Sequence, residues 1–388
     1  MGIASKATNW AYLPALLLAA PALLTIVVFV TTIAPRSGED RRDRWVAYRD
    51  WDLVIQLTVL IAWWLLWDRQ GPLAVLPSGG GGIRPSPQGF WYLPLGSLFF
   101  YLFVSSYFNS IAYRSRRGIL SRVATVLGRL ATFSLPVLLL QTGIDQLLNR
   151  NALGFFYFGA AGVAWRLGVI VILFASGMRF NALKSGETLG RARRISHQMG
   201  VQLKYVFMVP AGRGRLINAY SLGDSIALTD SLGQHLTRDQ LEYTIAHEVA
   251  HCKCKHSRNL VRGGVVAFGA TAAVLFAIGS HTGPLHLPIQ IVALVAPILA
   301  AEWNAKRNEY EADARAVEFT NDPEAAIRAL GNLAKAAGIP KGPNWIADLF
   351  DAHPCPLYRA REIARVGHLP EERLADILRE ADMVKGTK

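Results

Sequence analysis

Long apolar runs constrain this chain before any motif does. A helix rising about 1.5 Å per residue needs roughly 20 apolar residues to cross a hydrocarbon layer of about 30 Å. Seven stretches approach that requirement: Trp10 to Ile33, Leu53 to Trp67, Phe90 to Tyr113, Val123 to Ile144, Leu153 to Met178, Gly263 to Gly279 and Leu285 to Trp303. The composition, 52% hydrophobic and only 18% charged, is too apolar for an ordinary soluble domain. The second run has only 15 residues before Asp68 and must borrow length from its aromatic flanks, so a buried or re-entrant helix is its other reading.

Loop charge tests this layout, because short cytoplasmic loops carry excess Lys and Arg. With the N-terminus outside, the first two inner loops hold Arg36, Arg41, Arg42, Arg44 and Arg49, then Arg114, Arg116, Arg117 and Arg122. The outer side holds Lys6, Arg69, Arg84 and Arg150, and removing the second span would put the arginines of 114–122 outside. The first run contains Pro14 and Pro21 and has its stronger positive flank after it, which fits a signal anchor better than a cleaved signal. The net charge of +13 gathers beside the membrane without a nucleic-acid motif, so anionic lipid headgroups are the expected partner and nucleic acid is not. Cys252, Cys254 and Cys355 all fall on the cytoplasmic side, where thiols stay reduced and no disulfide framework is expected.

The expected architecture is therefore a mainly α integral membrane protein of about seven transmembrane helices with a cytoplasmic α+β catalytic domain. Residues 1–178 form the N-terminal membrane region with five spans, and 179–262 the first part of the catalytic domain. Residues 263–303 form a transmembrane hairpin, and 304–388 the second part, brought to the same face by that hairpin. Pro77, Gly79 to Gly82, Pro85 and Pro87 read as a flexible outer linker. Val201 to Val209 and Arg215 to Leu228 carry β-branched and aromatic residues around Gly212 and Gly214, suggesting a small hairpin sheet.

Chemistry concentrates after Thr237-Arg-Asp-Gln240, a capping box that starts a helix. That helix carries His247-Glu248-Val249-Ala250-His251, and the i, i+4 spacing puts both imidazoles on one face, a turn apart, where they can hold one Zn²⁺. Glu248 faces partly away from the pair and can reach the attacking water, the position of a general base. An amphipathic helix with a surface His pair is the bland alternative, although chance placement would give this motif on the order of once in a hundred such sequences. Catalytic zinc takes three protein ligands, and Glu309, in Asn308-Glu309-Tyr310-Glu311-Ala312-Asp313, is the candidate third. Asp313, a turn further, can accept a hydrogen bond from a ligand imidazole or is a solvated helix charge. His256 lies five residues beyond His251, well off the shared face, and is given no metal role. Cys252 and Cys254 point to different sides and are read as packing residues.

These residues carry a resemblance. From Pro210 through Asn218-Ala219-Tyr220-Ser221-Leu222-Gly223-Asp224, Thr229, the His247 to His251 motif, Glu309-x-x-Ala312-Asp313, His353-Pro354 and Arg359, the chain resembles the membrane zinc metallopeptidase family that contains the CAAX prenyl proteases and the HtpX-type proteases. About half the chain is covered. The resemblance implies a zincin-like catalytic domain, Glu309 rather than Glu311 as third ligand, and Asn218 and Ala219 on an edge strand that pairs with extended substrate. It also implies His353 as an oxyanion-stabilising histidine, with Arg359 nearby in that role or a structural one. The expected function is a zinc metalloendopeptidase with one Zn²⁺ per chain, acting on peptide or membrane-protein substrates in membrane-protein quality control. The Ala, Gly and Arg-rich composition suggests a bacterial inner membrane. A CAAX-type processing protease, a silent scaffold or a transporter are the alternatives; Arg129 and Arg166 are the main intramembrane charges, and no paired acid for coupled transport accompanies them.

Overall fold

The computed structural model describes residues 132, 135–175, 179–210, 217–279, 286–337, 353–381 and 383. The first three expected spans and half of the fourth lie outside these residues. The chain divides into two compact units, one of Met1–Pro136 with Gly162–Ser176, the other of Val137–Ala161 with Gly177–Lys388. In the first, the described part is essentially the second half of helix α2, an apolar helix of 23 residues, Leu153–Ala175, whose Val163, Trp165 and Leu167 face outward.

The second unit begins at Val137, within helix α1, Leu135–Leu148, which turns back into the start of α2. Glycine makes this turn close: a Cβ at Gly154 would lie 2.3 Å from Leu147 Cγ, so any side chain there would drive the helices apart. Leu140, Ile144, Leu147, Leu148, Phe158 and Ala161 form a core with Ala272, Leu275 and Ala293. The last three come from helices α6, His256–Ile278, and α7, His286–Thr320, the hairpin expected from the sixth and seventh apolar runs. Among the described residues α6 is the one helix long and apolar enough to cross a membrane. Its Val265 and Val266 are 68% and 69% exposed, an outward apolar face that water would not favour. Helix α7 has 35 residues, roughly 50 Å at the usual rise, and runs unbroken from the apolar segment past Asp313.

The remaining elements build the polar core. Strand β1 is Asn181–Ala182, helix α3 Glu187–Gln198, β2 Tyr205–Val209, β3 Ala219–Ser221, β4 Ser225–Thr229, α4 Leu232–His235, α5 Arg238–Lys253, α8 Pro323–Ala337, α9 Pro356–Val366 and α10 Glu371–Glu380. The sheet runs β1-β2-β4-β3, with β2 parallel to β4 and the other pairs antiparallel. Only β3 and β4 form the expected hairpin, through Gly223 at φ +70° and a 2.7 Å bond from Leu222 N–H to Ser225 O. The segment 201–209 instead lies parallel to β4. Every residue of β4 is buried, so it must be flanked on both edges, and alternation within one strand does not say which neighbour supplies the second edge.

Helix α5 starts as its sequence predicts. Gln240 N–H donates to Thr237 Oγ1 at 3.4 Å, and Thr237 N–H donates to Gln240 Oε1 at 3.1 Å. Thr237→Ala is expected to cost about 1 kcal/mol, read as a lower denaturation midpoint with zinc content unchanged. Beyond this cap the helix is buried on nearly all sides, Tyr243 through Ala250 having almost no exposure. Ala246 and Ala250 of α5 share one core with Ala312 and Ala316 of α7, small side chains that let two helix backbones approach closely. That packing sets His247 and His251 of α5 facing Glu309 and Asp313 of α7.

Candidate active site

His247, Glu248 and His251 project from α5, and Glu309 and Asp313 from α7, into one buried cluster closed by Arg359 of α9 and by His353 just before that helix. The two imidazole Nε2 atoms lie 3.1 Å apart. Glu309 Oε2 is 3.5 Å from His247 Nε2, and Glu309 Oε1 is 3.3 Å from His251 Nε2. A tetrahedral zinc with bonds of about 2.0–2.2 Å has ligand-to-ligand edges of about 3.3–3.6 Å, so this triangle is nearly the face that such an ion would rest on. Two imidazole nitrogens and one carboxylate, with one position left open, are also the donor set of catalytic zinc. Glu311, the neighbouring acid on α7, points elsewhere, toward His256.

A second layer holds these groups in place. Asp313 Oδ1 lies 2.9 Å from His247 Nδ1 and accepts from the Tyr243 hydroxyl at 2.7 Å and from Arg359 Nη2 at 2.6 Å. Arg359 Nε donates to Asp313 Oδ2 at 2.8 Å, while its Nη1 is 3.0 Å from Glu309 Oε2. One guanidinium thus bridges both carboxylates. Its five fixed donors suit this double role better than a lysine ammonium would. His353 Nδ1 reaches Glu309 Oε2 at 3.1 Å, with its side chain 65% exposed at the mouth of the site.

The electrostatics follow from burial and these contacts. Burial alone would depress the His247 imidazole, but hydrogen bonds to Asp313 and Glu309 outweigh it and lift the group to about 10. Burial works against ionisation of Asp313 too, yet Arg359 and His247 hold its carboxyl down at about 2. Glu309 is likewise held well below its ordinary value, by Arg359 and the surrounding imidazoles against burial. Glu248 moves the other way, because burial lifts its carboxyl and the nearby His247 and His251 only partly offset that. Two kinds of carboxylate result: Glu309 and Asp313, permanently charged, and Glu248, buried and raised.

Strand β3 is the outer strand of its sheet. Thr229 N–H donates to Asn218 O at 3.0 Å, and Ala219 pairs opposite Leu228, so hydrogen bonds to β4 alternate away from Ala219 and Ser221. The main-chain groups of those two residues face the open edge, where Asn218 Oδ1 accepts the Ala219 N–H at 3.0 Å. Asn218 and Ala219 thus lie at the outer edge of the sheet.

One chain turn was not foreseen from the sequence. Helix α5 ends at Lys253, Lys255 adopts a left-handed conformation at φ 55°, and His256 folds back to put its Nδ1 2.8 Å from His251 Nδ1. No Gly or Asn marks this break, so a continuous helix was the natural expectation. Cys252 is a packing residue as expected, buried with Sγ 3.7 Å from Ser225 O, but Cys254 contacts Glu311 at 3.4 Å. Tyr243 was also missed, although Tyr243, His247 and His251 form an i, i+4, i+8 stripe that could have revealed it.

Fold and site together define a metallopeptidase-type domain built around an HExxH helix. Residues 189–366, a little under half of the chain, match the model of Peptidase family M48. It is 26% identical over 196 residues to a protein named Protease HtpX homolog from Desulfatibacillum aliphaticivorans, covering 45% of this chain and 61% of that one. A second Protease HtpX homolog, from Sulfurovum sp. (strain NBC37-1), is 24% identical over 245 residues, covering 54% of this chain and 87% of its own length. The crystal structure of S. mikatae Ste24p superposes with a TM-score of 0.53 at 15% identity, covering 90% of this chain and 99% of that one, which is a likeness of fold alone.

Proposed function

We propose that this chain is a membrane-embedded, zinc-dependent metalloendopeptidase that hydrolyses peptide bonds at the cytoplasmic membrane face. The observation that carries the reading is the His247, His251 and Glu309 triangle with edges of 3.1, 3.5 and 3.3 Å, beside a buried Glu248. Zinc held there would supply Lewis acidity, polarising a carbonyl and making water acidic near neutral pH. Glu248, its carboxyl raised toward the working pH, accepts the proton of the attacking water and returns it to the leaving amine. His353, exposed at the mouth beside Glu309, is placed to donate to the oxygen that gains charge. Asp313 fixes the His247 tautomer so that Nε2 faces the metal, and Arg359 holds Asp313 and Glu309 ionised.

Extended substrate would add to the open edge of β3, with main-chain bonds to Ala219 and Ser221. Binding there requires Asn218 Oδ1 to release the Ala219 N–H. The outward valines of α6 would lie against lipid, and Trp303, stacked with Arg307 at 5.2 Å on α7, suits the membrane boundary. The printed name of the relatives, Protease HtpX homolog, supports a protease, and a complete set of base and ligands disfavours a silent scaffold or a transporter.

The test is casein cleavage by the detergent-purified chain. Activity is expected to vanish on chelation and return with one equivalent of zinc; cleavage that persists after verified metal removal would overturn the reading. Metal uptake should also expel a proton. His247 carries one up to about pH 10 in the metal-free protein, while a ligand imidazole must be neutral. Zinc affinity should therefore rise with pH through the neutral range, and calorimetry in buffers of different ionisation heat should show about one proton released per zinc at pH 7.

A further inference from the structure

The turn at Lys255 creates a second set of metal-type donors beside the first. Cys254 Sγ lies 3.4 Å from Glu311 Oε1, His256 Nε2 lies 3.3 Å from Glu311 Oε2, and the thiol, imidazole and carboxylate ligand atoms all fall within 4.8 Å of one another. The turn is pinned: Cys254 N–H donates to Ala250 O at 2.9 Å, and Asn259 Nδ2 donates to Cys254 O at 3.0 Å. His256 is buried, while the Glu311 side chain is 49% exposed and gives solvent a way in. One thiolate, one imidazole and one carboxylate suit a zinc-like, thiophilic divalent cation with a fourth position for water, and not the all-oxygen cations.

We infer that Cys254, His256 and Glu311 form an inhibitory site for such a cation, set against the first site through the one proton shared by His251 and His256. The inference rests on reading His251 as a ligand of the catalytic metal. Its Nδ1 and that of His256 are 2.8 Å apart, a separation that accommodates a single hydrogen between them. When His251 offers its Nε2 lone pair to a metal, its proton sits on Nδ1 and is donated to His256 Nδ1. The His256 proton is then on Nε2, donated to Glu311, and His256 has no lone pair left for a second cation. A cation bound by Cys254, His256 and Glu311 demands the reverse. The thiol proton leaves to solvent, His256 carries its proton on Nδ1 and donates it to His251, and the His251 proton moves to Nε2, the atom needed by the catalytic metal. Filling both sites would require stripping an imidazole of its last proton or turning a ring out of a packed cluster. Low zinc therefore activates, and excess zinc inhibits.

The experiment titrates the full-length, metal-free chain in detergent with Co²⁺, following the near-ultraviolet thiolate-to-cobalt charge-transfer band, and in parallel titrates proteolytic activity with Zn²⁺. The expected result is a thiolate band that grows in the wild type as cobalt exceeds one equivalent and is absent from Cys254→Ser. The inhibitory limb of the zinc profile should move to about tenfold higher zinc or more in Cys254→Ser, with the activating limb unchanged, since losing a ligand costs at least as much as losing an outer-shell partner. No thiolate band at any cobalt level, or an inhibitory limb unmoved by Cys254→Ser, overturns the inference. If the catalytic reading alone were wrong, the Cys254-dependent band would persist while zinc failed to activate, so the two failures are told apart.

Discussion

Glu248→Gln is expected to lower kcat by about 10²–10⁴-fold while leaving zinc stoichiometry at the wild-type value and KM nearly unchanged. The amide keeps the volume of the carboxylate, so the packing of α5 against α7 is undisturbed. What it loses is the capacity to take a proton from water. Glu248 is not a corner of the triangle formed by His247, His251 and Glu309, so metal binding should survive the change. Its buried environment raises the carboxyl, which makes the wild-type side chain a stronger base than an exposed glutamate. Measuring zinc by atomic absorption alongside steady-state cleavage separates the two effects. Loss of zinc together with activity would make Glu248 a structural or ligand residue, and retained activity would remove it from the chemistry.

Arg359→Met should cost the metal-free protein about 3–5 kcal/mol of folding stability, the scale seen when one partner of a buried ion pair is removed. Arg359 is the cation between Asp313 and Glu309, at 2.6 and 3.0 Å, and its side chain is only 11% exposed. Methionine fills much of the space without the charge, leaving two buried carboxylates to repel each other. The loss is specific to charge and therefore reversible in a defined way: adding Asp313→Asn to Arg359→Met should recover part of the stability, because the stranded negative charge is gone. Denaturation midpoints of the two single variants and the double variant test this. An Arg359→Met protein as stable as wild type, or a double variant with purely additive losses, would contradict the bridge.

The site was legible because its information is local. The capping box at Thr237 and Gln240 fixes where α5 begins, the four-residue spacing of His247 and His251 fixes their common face, and the apolar hairpin dictates that Glu309 returns to the same side. The position of Asp313 one turn beyond Glu309 carries the same helical logic, and the structure places it 2.9 Å from His247 Nδ1. Arg359 and His353 were named only through family resemblance, since no spacing connects residues more than 40 positions from Glu309. The order of the sheet was not readable, because a buried strand such as β4 declares that it has two neighbours and not which ones. The approach of His256 to His251 was not readable, because one left-handed residue, Lys255, redirects the chain without any of the residues that usually announce such a turn.

The most direct test of the account is a zinc-edge anomalous diffraction map of the active, detergent-purified enzyme. One strong peak is expected about 2.0–2.2 Å from His247 Nε2, His251 Nε2 and a Glu309 carboxylate oxygen. An active enzyme with no peak there, or with its metal held by other residues, would contradict it.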